Sequence, residues 1–170
     1  VGAVLTQNTA WTNVEKAIAN LKAAKALSPA AIAAAPHRRL AAWLKPSGYF
    51  NIKAQRLHAF CAWLIRKGGA KRIARLPTAV LRAELLQVHG IGPETADDIL
   101  LYAFNRPVFV FDAYTRRLFQ RLGLIQGDEN YEALRQLFEK SLATGTQLFN
   151  EYHALIVVHA KDVCRKRPLC

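Results

Sequence analysis

Apolar residues recur at intervals of three and four along most of the chain, the spacing that places them on one face of an α-helix. These stripes are Leu57, Phe60, Cys61, Leu64 and Ile65; Ala96, Ile99, Leu100, Ala103 and Phe104; Leu118, Phe119 and Leu122; Tyr131, Leu134, Leu137, Phe138 and Leu142; and Leu148, Phe149, Tyr152, Leu155, Ile156 and His159. Breaks that contain proline, glycine or both separate the helical segments, at 27–30, 45–49, 76–79, 89–93, 105–107 and 126–128. Only PVFVF, residues 107–111, has the β-branched and aromatic content of a strand, and it is too short to build a sheet. We therefore predict an all-α fold of about nine or ten short helices.

The 24 Lys and Arg residues outnumber the 12 Asp and Glu residues and give the chain a net charge of +12. Such an excess favours a polyanionic partner, because basic residues that neutralise phosphates release counterions. The positive residues recur in small groups along the chain instead of forming a tail, which favours a shaped binding surface. A basic surface without a partner is the alternative.

No apolar run approaches the roughly 18–20 residues that a membrane helix needs, so we expect no membrane partner. The chain contains no methionine, begins in the apolar run VGAVLTQNTA and stops at Cys170. We therefore expect a core fragment of a longer protein, truncated at both ends.

The stretch VHGIGPETAD, residues 88–97, interrupts a helix-favouring region with two glycines and a proline. It predicts a helix to about Val88, a tight turn and a second helix from Pro93, because proline suits the first helical position. Gly90 and Gly92 can adopt positive φ and allow another molecule to approach the backbone closely. Amides at the start of the second helix suit a phosphate, and an ordinary glycine C-cap is the alternative interpretation.

Asp112 follows the short extended segment and precedes the helical stretch AYTRRLFQRL. Aspartate is a favoured helix N-cap, and capping alone would account for it. A capping carboxylate is also held in one orientation, so the two roles are compatible.

LLQVHGIGPETADDILLYAF and the following VFVFDAYTRRLFQRLGL resemble the helix-hairpin-helix and aspartate signature of the endonuclease III superfamily of DNA glycosylases. VGAVLTQNTAW and HAKDVCRKRPLC extend the resemblance over the whole chain. It implies a single HhH-GPD domain over 1–170 with two helical lobes and an active-site cleft between them. The first is a six-helix bundle over about 10–106 with its hairpin at 86–97, and the second covers about 107–170.

The resemblance implies roles for several residues. Asp112 is the essential carboxylate, which stabilises the positive charge that develops on the deoxyribose or orients a water. Hairpin amides near Gly90, Gly92 and Glu94 hold a DNA phosphate, which His89 can also approach. The backbone carbonyls of the residues around the turn hold a monovalent cation that bridges to the DNA; these residues are Leu86, Val88 and Ile91.

Glu94 occupies the position at which strand-cleaving members of the family carry a lysine. A carboxylate cannot form the Schiff base of the lyase reaction, and Glu94 instead favours the start of its helix through the dipole. We therefore expect a monofunctional glycosylase that leaves an abasic site. The alternatives are a bifunctional glycosylase and AP lyase acting on oxidised pyrimidines, in which another lysine stands in, and a non-catalytic DNA-binding module.

LTQNTAW and LKPSGYFNIKAQRL, together with Glu94, resemble bacterial 3-methyladenine DNA glycosylases of the endonuclease III type. This resemblance implies double-stranded DNA with an N-alkylated purine as the partner, a monomeric enzyme and a cytoplasmic location. Gln7 would fill the gap left by the flipped base, and a polar cap is its alternative role. Trp11 is the leading residue for stacking on the base, although a core position is the alternative. Tyr49 and Phe50 are weaker stacking candidates, and Lys53 is expected to meet a phosphate.

The three cysteines divide into a core residue and a C-terminal pair. Cys61 lies on an apolar stripe and is predicted to be a buried thiol. Cys164 and Cys170 resemble the first two ligands of the family's [4Fe–4S] loop, whose other two ligands would follow in a longer parent. A loop pair without metal is the alternative, and base hydrolysis requires no cofactor. His159 lies on the apolar face of its helix and is predicted to be structural.

Overall fold

The computed structural model describes residues 1–169, and within them every regular element is helical. The α-helices are α1 (Gly2–Leu5), α2 (Trp11–Ala23), α3 (Pro29–Ala34), α4 (His37–Leu44), α5 (Phe50–Arg66), α6 (Ala70–Ile73), α7 (Thr78–Leu86), α8 (Pro93–Asp98), α9 (Ala113–Arg121), α10 (Tyr131–Ser141) and α11 (Thr146–Asp162). A 3₁₀ turn covers Lys45–Ser47, and a π-helical segment covers Ile99–Ala103. The predicted all-α fold is confirmed. The described residues form eleven α-helices instead of nine or ten, because α1 and α6 are four-residue turns too short to carry an apolar stripe.

The chain divides into two compact units, one ending at Thr95 and the other beginning at Ala96. In the first unit α5 contacts α1, α3 and α4, and α2 packs on α4. Cys61 on α5 is a buried free thiol, as predicted, and burial raises its pKa to about 11. The boundary between the units falls within α8, whereas the lobe boundary expected from the resemblance, near residue 106, stays a prediction.

The core of the second unit forms around the extended segment between the π-helical segment and α9. Four consecutive residues of this segment are buried, namely Val108, Phe109, Val110 and Phe111. Phe109 meets Phe138 of α10 and Phe149 of α11, with ring centroids 4.8 and 5.6 Å apart. No strand forms within residues 1–169, as predicted, because these residues pack between helices and pair with no other strand. The buried segment fixes the position of Asp112, the residue that directly precedes and caps α9.

The π-helical segment changes the register of one predicted apolar stripe. A π turn closes hydrogen bonds to the fifth residue along, so the residues after Ile99 do not keep the α-helical spacing. Leu101 is buried and Ala103 is exposed, although the predicted stripe contained Ala103. Other stripe members also prove to be exposed, because each helix buries a face narrower than the pattern indicated; these are Ile65, Leu122, Leu137, Leu148 and Leu155.

Within residues 1–169, no helix is both long enough and apolar enough to cross a membrane.

Candidate functional site

The predicted hairpin forms at the end of the first unit, with α7 ending at Leu86 and α8, which crosses the unit boundary, beginning at Pro93. Gly90 has a φ of +82°, and a Cβ added to it would lie 2.2 Å from Cγ of Arg56. Gly92 has no positive φ, and a Cβ added there would meet nothing within 4 Å. The prediction of positive φ therefore holds for Gly90 alone. Arg56 excludes a side chain at Gly90, whereas the space beside Gly92 is open to another molecule.

Gln7 fastens this hairpin to the segment that follows α1. Its Nε2 donates to the carbonyl oxygen of Gly90 at 3.0 Å and to Oγ1 of Thr95 at 2.9 Å. Its Oε1 accepts a hydrogen bond from Nη1 of Arg56, so all three side-chain bonds converge on the hairpin and its packing partner. The predicted role of Gln7 in filling the gap in DNA stays a prediction, and in this structure the side chain positions the turn.

The tip of the hairpin is exposed at His89, Gly92, Pro93 and Glu94. Glu94 lies in the first turn of α8, where a negative charge is favourable because it faces the positive end of the helix dipole. The predicted phosphate contacts at these positions and at Gly90 stay predictions.

The carbonyl groups proposed to hold a cation belong to Leu86, Val88 and Ile91. Val88 and Ile91 are buried, and the Val88 carbonyl accepts the amide of Ile91 at 3.0 Å. A carbonyl oxygen has a second lone pair, so this bond leaves Val88 able to ligate an ion. The cation site stays a prediction.

The expectation that Lys53 meets a phosphate is wrong. The residue is only 1% exposed, and its Nζ donates to the carbonyl oxygens of Leu5 at 2.8 Å and Ser47 at 2.7 Å. Burial, with a smaller contribution from the charge of Arg56, lowers the pKa of Lys53 to about 8. The lysine therefore stabilises the interior of the first unit, because its ammonium group pairs two buried carbonyls.

The predicted stacking residues lie at the surface of the first unit. Trp11 begins α2, is 46% exposed and donates its indole N–H to Oε1 of Glu15 at 2.9 Å. Tyr49 is 64% exposed and has a φ of +44°, a backbone conformation that is unusual for an aromatic residue. Phe50 is half-buried at the start of α5. The core alternative for Trp11 does not hold, while stacking on a base stays a prediction for all three residues.

Asp112 is the N-cap of α9 in the second unit, as predicted. Its Oδ1 accepts hydrogen bonds from the amide of Thr115 at 2.8 Å and from the Thr115 hydroxyl at 2.9 Å. Its Oδ2 lies 3.5 Å from Nε2 of His153. Burial alone would raise the pKa of Asp112, but the proximity and charge of His153 and the bonds from Thr115 outweigh burial and lower it. The carboxylate is therefore held ionised and in one orientation.

His153 is the residue that the sequence analysis missed, and His159 was singled out in its place. His159 is exposed, so the prediction that it lies on the apolar face is wrong. The buried face of α11 carries Phe149, His153, Ile156 and Ala160. These residues also have helical spacing, and His153 could have been found by fitting the stripe to Phe149 and Ile156 instead of to Tyr152.

A family model described as HhH-GPD superfamily base excision DNA repair protein matches residues 1–144. The chain belongs to this superfamily. A protein of Methanocaldococcus jannaschii named as a DNA repair glycosylase is 46% identical over 173 residues, covering 100% of this chain and 79% of the relative. Endonuclease III of Thermotoga maritima is 29% identical over 174 residues, with coverages of 100% and 76%.

Solved structures agree with the HhH-GPD assignment. The structure of H. pylori 3-methyladenine DNA glycosylase bound to 1,N6-ethenoadenine has a TM-score of 0.84 and 32% identity, over 94% of this chain and 82% of that one. An endonuclease III–DNA complex also has a TM-score of 0.84, over 99% and 75%, and at 24% identity it supports the fold alone. This HhH-GPD protein is a DNA glycosylase of base excision repair.

Of the two cysteines predicted to begin an iron–sulfur loop in this HhH-GPD chain, the structure describes only Cys164. Cys164 is buried, and its Sγ accepts a hydrogen bond from Nη1 of Arg121 at 3.2 Å. Cys170 lies outside the described residues, and residues 1–169 contain no group of three or more His, Cys, Asp or Glu side chains placed to hold a metal. The described residues do not fit a four-thiolate [4Fe–4S] cluster, which needs four such ligands. The cluster in a longer parent stays a prediction.

Proposed function

We propose that this glycosylase is monofunctional and removes an N-alkylated purine such as 3-methyladenine from double-stranded DNA, leaving an abasic site. Glu94 carries the proposal. It stands in the first turn of α8, at the position that the resemblance assigns to the lyase lysine. A carboxylate cannot form an imine with C1′ of the deoxyribose, so water remains as the nucleophile.

Asp112 is the proposed catalytic carboxylate. The bond between C1′ and the base nitrogen breaks with its electron pair leaving on the base, and the sugar gains oxocarbenium character. Because Thr115 occupies Oδ1, Oδ2 is the oxygen available to stabilise this cation and to orient the attacking water. Water then forms the new bond to C1′ and loses a proton to solvent. The cationic purine, having taken the electron pair, leaves as the neutral free base, and the DNA keeps an abasic site.

The preference for alkylated purines rests on chemistry and on likeness. Alkylation at a ring nitrogen gives the purine a positive charge that already weakens the glycosidic bond, so one carboxylate is enough to assist cleavage. An exposed indole such as that of Trp11 attracts a cationic ring through its π face. The 32% identical structural neighbour from H. pylori is named as a 3-methyladenine DNA glycosylase.

The hairpin is the proposed anchor for the DNA backbone. Its exposed tip and the open space beside Gly92 allow a phosphate to approach the amides at the start of α8. The net charge of +12 supports a polyanionic partner. We propose that the helix that begins at Pro93 and the turn at Gly90 together bind one phosphate of the DNA backbone.

The direct test is incubation with methylated duplex DNA, followed by chromatography of the released bases. We expect 3-methyladenine in the eluate and intact strands until the abasic sites are cleaved by heat or alkali. Release of a different damaged base without 3-methyladenine would contradict the proposed substrate.

A bifunctional enzyme for oxidised pyrimidines is the second candidate, because the chain is 29% identical to an endonuclease III over its whole length. Borohydride reduction during turnover separates the two candidates. We expect no covalent enzyme–DNA adduct with the natural chain or with Glu94→Gln. A trapped adduct with the natural chain would show that another lysine performs the lyase step.

A further inference from the structure

In the second unit, His153 of α11 lies between two side chains that precede α9, those of Tyr102 and Asp112. The hydroxyl of Tyr102 lies within hydrogen-bond distance of Nδ1 of His153. On the other side of the same imidazole, Nε2 faces Oδ2 of Asp112 at 3.5 Å. The His153 side chain is 10% exposed and that of Asp112 is 14% exposed, so water has little access to the space where they meet.

The π-helical segment is what brings Tyr102 to this place. Tyr102 belongs to the π turn Ile99–Ala103, and such turns in α-helical proteins are frequent at functional sites. Its side chain is 47% exposed, while its hydroxyl meets the buried imidazole of His153. The ring therefore reaches from the surface to a buried imidazole.

The Tyr102 hydroxyl determines where the imidazole proton lies. Burial, together with the negative charges of Asp98 and Asp112, raises the pKa of Tyr102, so the phenol keeps its proton. When His153 is neutral, this proton is donated to Nδ1, and Nε2 must then carry the ring hydrogen. When His153 is charged, both nitrogens carry hydrogen and the phenol oxygen accepts from Nδ1. In both states an N–H group faces Oδ2 of Asp112.

The two oxygens of Asp112 are therefore held by different partners. Oδ1 accepts two short hydrogen bonds from Thr115, which fix the helix cap. Oδ2 faces the buried Nε2 of His153 at 3.5 Å, and Nε2 makes no hydrogen bond within residues 1–169. A buried N–H without a hydrogen bond is energetically costly. Because Nε2 lies 3.5 Å from Oδ2, a small movement of Oδ2 toward it would form a charge-assisted hydrogen bond.

We infer that His153, oriented by Tyr102, is a positioning residue that holds Oδ2 of Asp112 ionised and directed for catalysis. The inference rests on the proposed role of Asp112. His153 does not reach the substrate itself, because its two ring nitrogens face Tyr102 and Asp112. It acts through the carboxylate, as a buried partner that fixes the orientation of a reacting group.

Three variants separate orientation from packing. His153→Leu removes both nitrogens, His153→Gln keeps an amide donor near the Nε2 position, and Tyr102→Phe removes the hydroxyl while keeping the ring. Single-turnover release of 3-methyladenine from methylated duplex DNA is measured from about pH 3.5 to pH 9, a range that includes the titration of Asp112, and thermal unfolding shows which variants fold.

We expect His153→Leu to slow base release by about 10- to 100-fold without changing DNA affinity. Its rate should also fall off at a higher pH on the acid side, because Asp112 loses a partner that lowers its pKa. His153→Gln should stay within about threefold of the natural chain, and Tyr102→Phe should lie between the two variants. A packing role alone would lower the unfolding temperature of His153→Leu and leave the acid side of the profile unmoved, which would overturn the inference.

A second measurement requires no substrate. NMR titration of the Asp112 carboxyl carbon should give a higher pKa in His153→Leu than in the natural chain, and His153→Gln should restore it in part. An unchanged Asp112 pKa in His153→Leu would overturn the inference. The proposed function fails separately, if Asp112→Asn releases bases at the natural rate.

Discussion

The hairpin of the first unit and the Asp112 cluster of the second unit present functional groups in different ways. The hairpin presents backbone groups. Gly90, with a φ of +82°, shapes the turn, and the open space beside Gly92 leaves the start of α8 accessible. The cluster offers Oδ2 of Asp112, because Thr115 binds Oδ1 while His153, which Tyr102 contacts, faces Oδ2. Binding a repeated phosphate requires only local geometry, whereas directing a reacting carboxylate requires side chains that meet from separate helices. The two regions should therefore fail differently when mutated.

The largest expected loss of stability follows from replacing Lys53. The same variant tests whether this lysine binds DNA or only pairs buried carbonyl groups in the first unit. Lys53→Met leaves the carbonyl groups of Leu5 and Ser47 without their partner, so the free energy of unfolding should fall by about 3 kcal/mol. The salt dependence of DNA binding should stay the same, because a buried ammonium group releases no phosphate counterions. Denaturant unfolding and binding titrations measure the two effects.

The exposed Lys71 supplies the control for this prediction. Lys71→Met should change the free energy of unfolding by no more than about 0.5 kcal/mol. A decrease of about 0.9 in the salt slope of Lys53→Met would mean that Lys53 does contact DNA.

The two hairpin glycines form a matched pair that separates folding from binding. Gly90→Ala should lower the free energy of unfolding by about 2 kcal/mol, because it strains a positive φ and displaces the Arg56 side chain. Gly92→Ala should leave stability within about 0.5 kcal/mol, yet weaken DNA binding by about tenfold, because its methyl group occupies the open space beside α8. Calorimetry and binding titrations measure these effects. Equal losses of stability in Gly90→Ala and Gly92→Ala, or unchanged DNA affinity in Gly92→Ala, would contradict this interpretation.

The smallest expected effect concerns the charge of Asp112. Its pKa is lower in the folded chain, so its stabilising contribution is present above the ordinary Asp value of about 3.9 and is lost as the pH falls through the folded value. The difference in unfolding free energy between the natural chain and Asp112→Asn should therefore grow by about 1 kcal/mol from pH 2 to pH 7. In a Thr115→Val background, which lacks the hydroxyl donor, this growth should shrink. Acid and urea unfolding measure it, and a pH-independent difference would contradict the lowered pKa.

The same difference between the two regions explains what the sequence could predict. Helical spacing, the start of α8 at Pro93 and the capping role of Asp112 depend on neighbours within a few positions, and all three are confirmed. His153 lies 41 positions beyond Asp112, and it reaches Asp112 only because its helix packs in the second unit. Helical spacing from Phe149 and Ile156 could have placed His153 on the buried face of α11, but no local pattern shows that it meets Asp112.

The burial of Lys53 could not be predicted from the sequence either, because it also depends on contacts between separate segments of the chain. A lysine in a basic chain is ordinarily exposed, and only the fold brings the carbonyls of Leu5 and Ser47 to its ammonium group. The π turn could not be predicted from spacing either. Leu101 is buried and Ala103 is exposed because the backbone hydrogen bonds of this segment depart from the α-helical pattern. Contacts between residues distant in sequence, and departures from regular helix geometry, therefore limit what spacing alone can predict.

We propose that Asp112 of the second unit performs the chemistry and that the hairpin binds the DNA backbone. Single-turnover base release and equilibrium binding by Asp112→Asn, measured on the same methylated duplex DNA, test it most directly. We expect Asp112→Asn to slow base release by about 1000-fold or more and to leave DNA affinity unchanged within about threefold. Base release by Asp112→Asn at the rate of the natural chain, or a loss of DNA affinity as large as the loss of rate, would contradict this proposal.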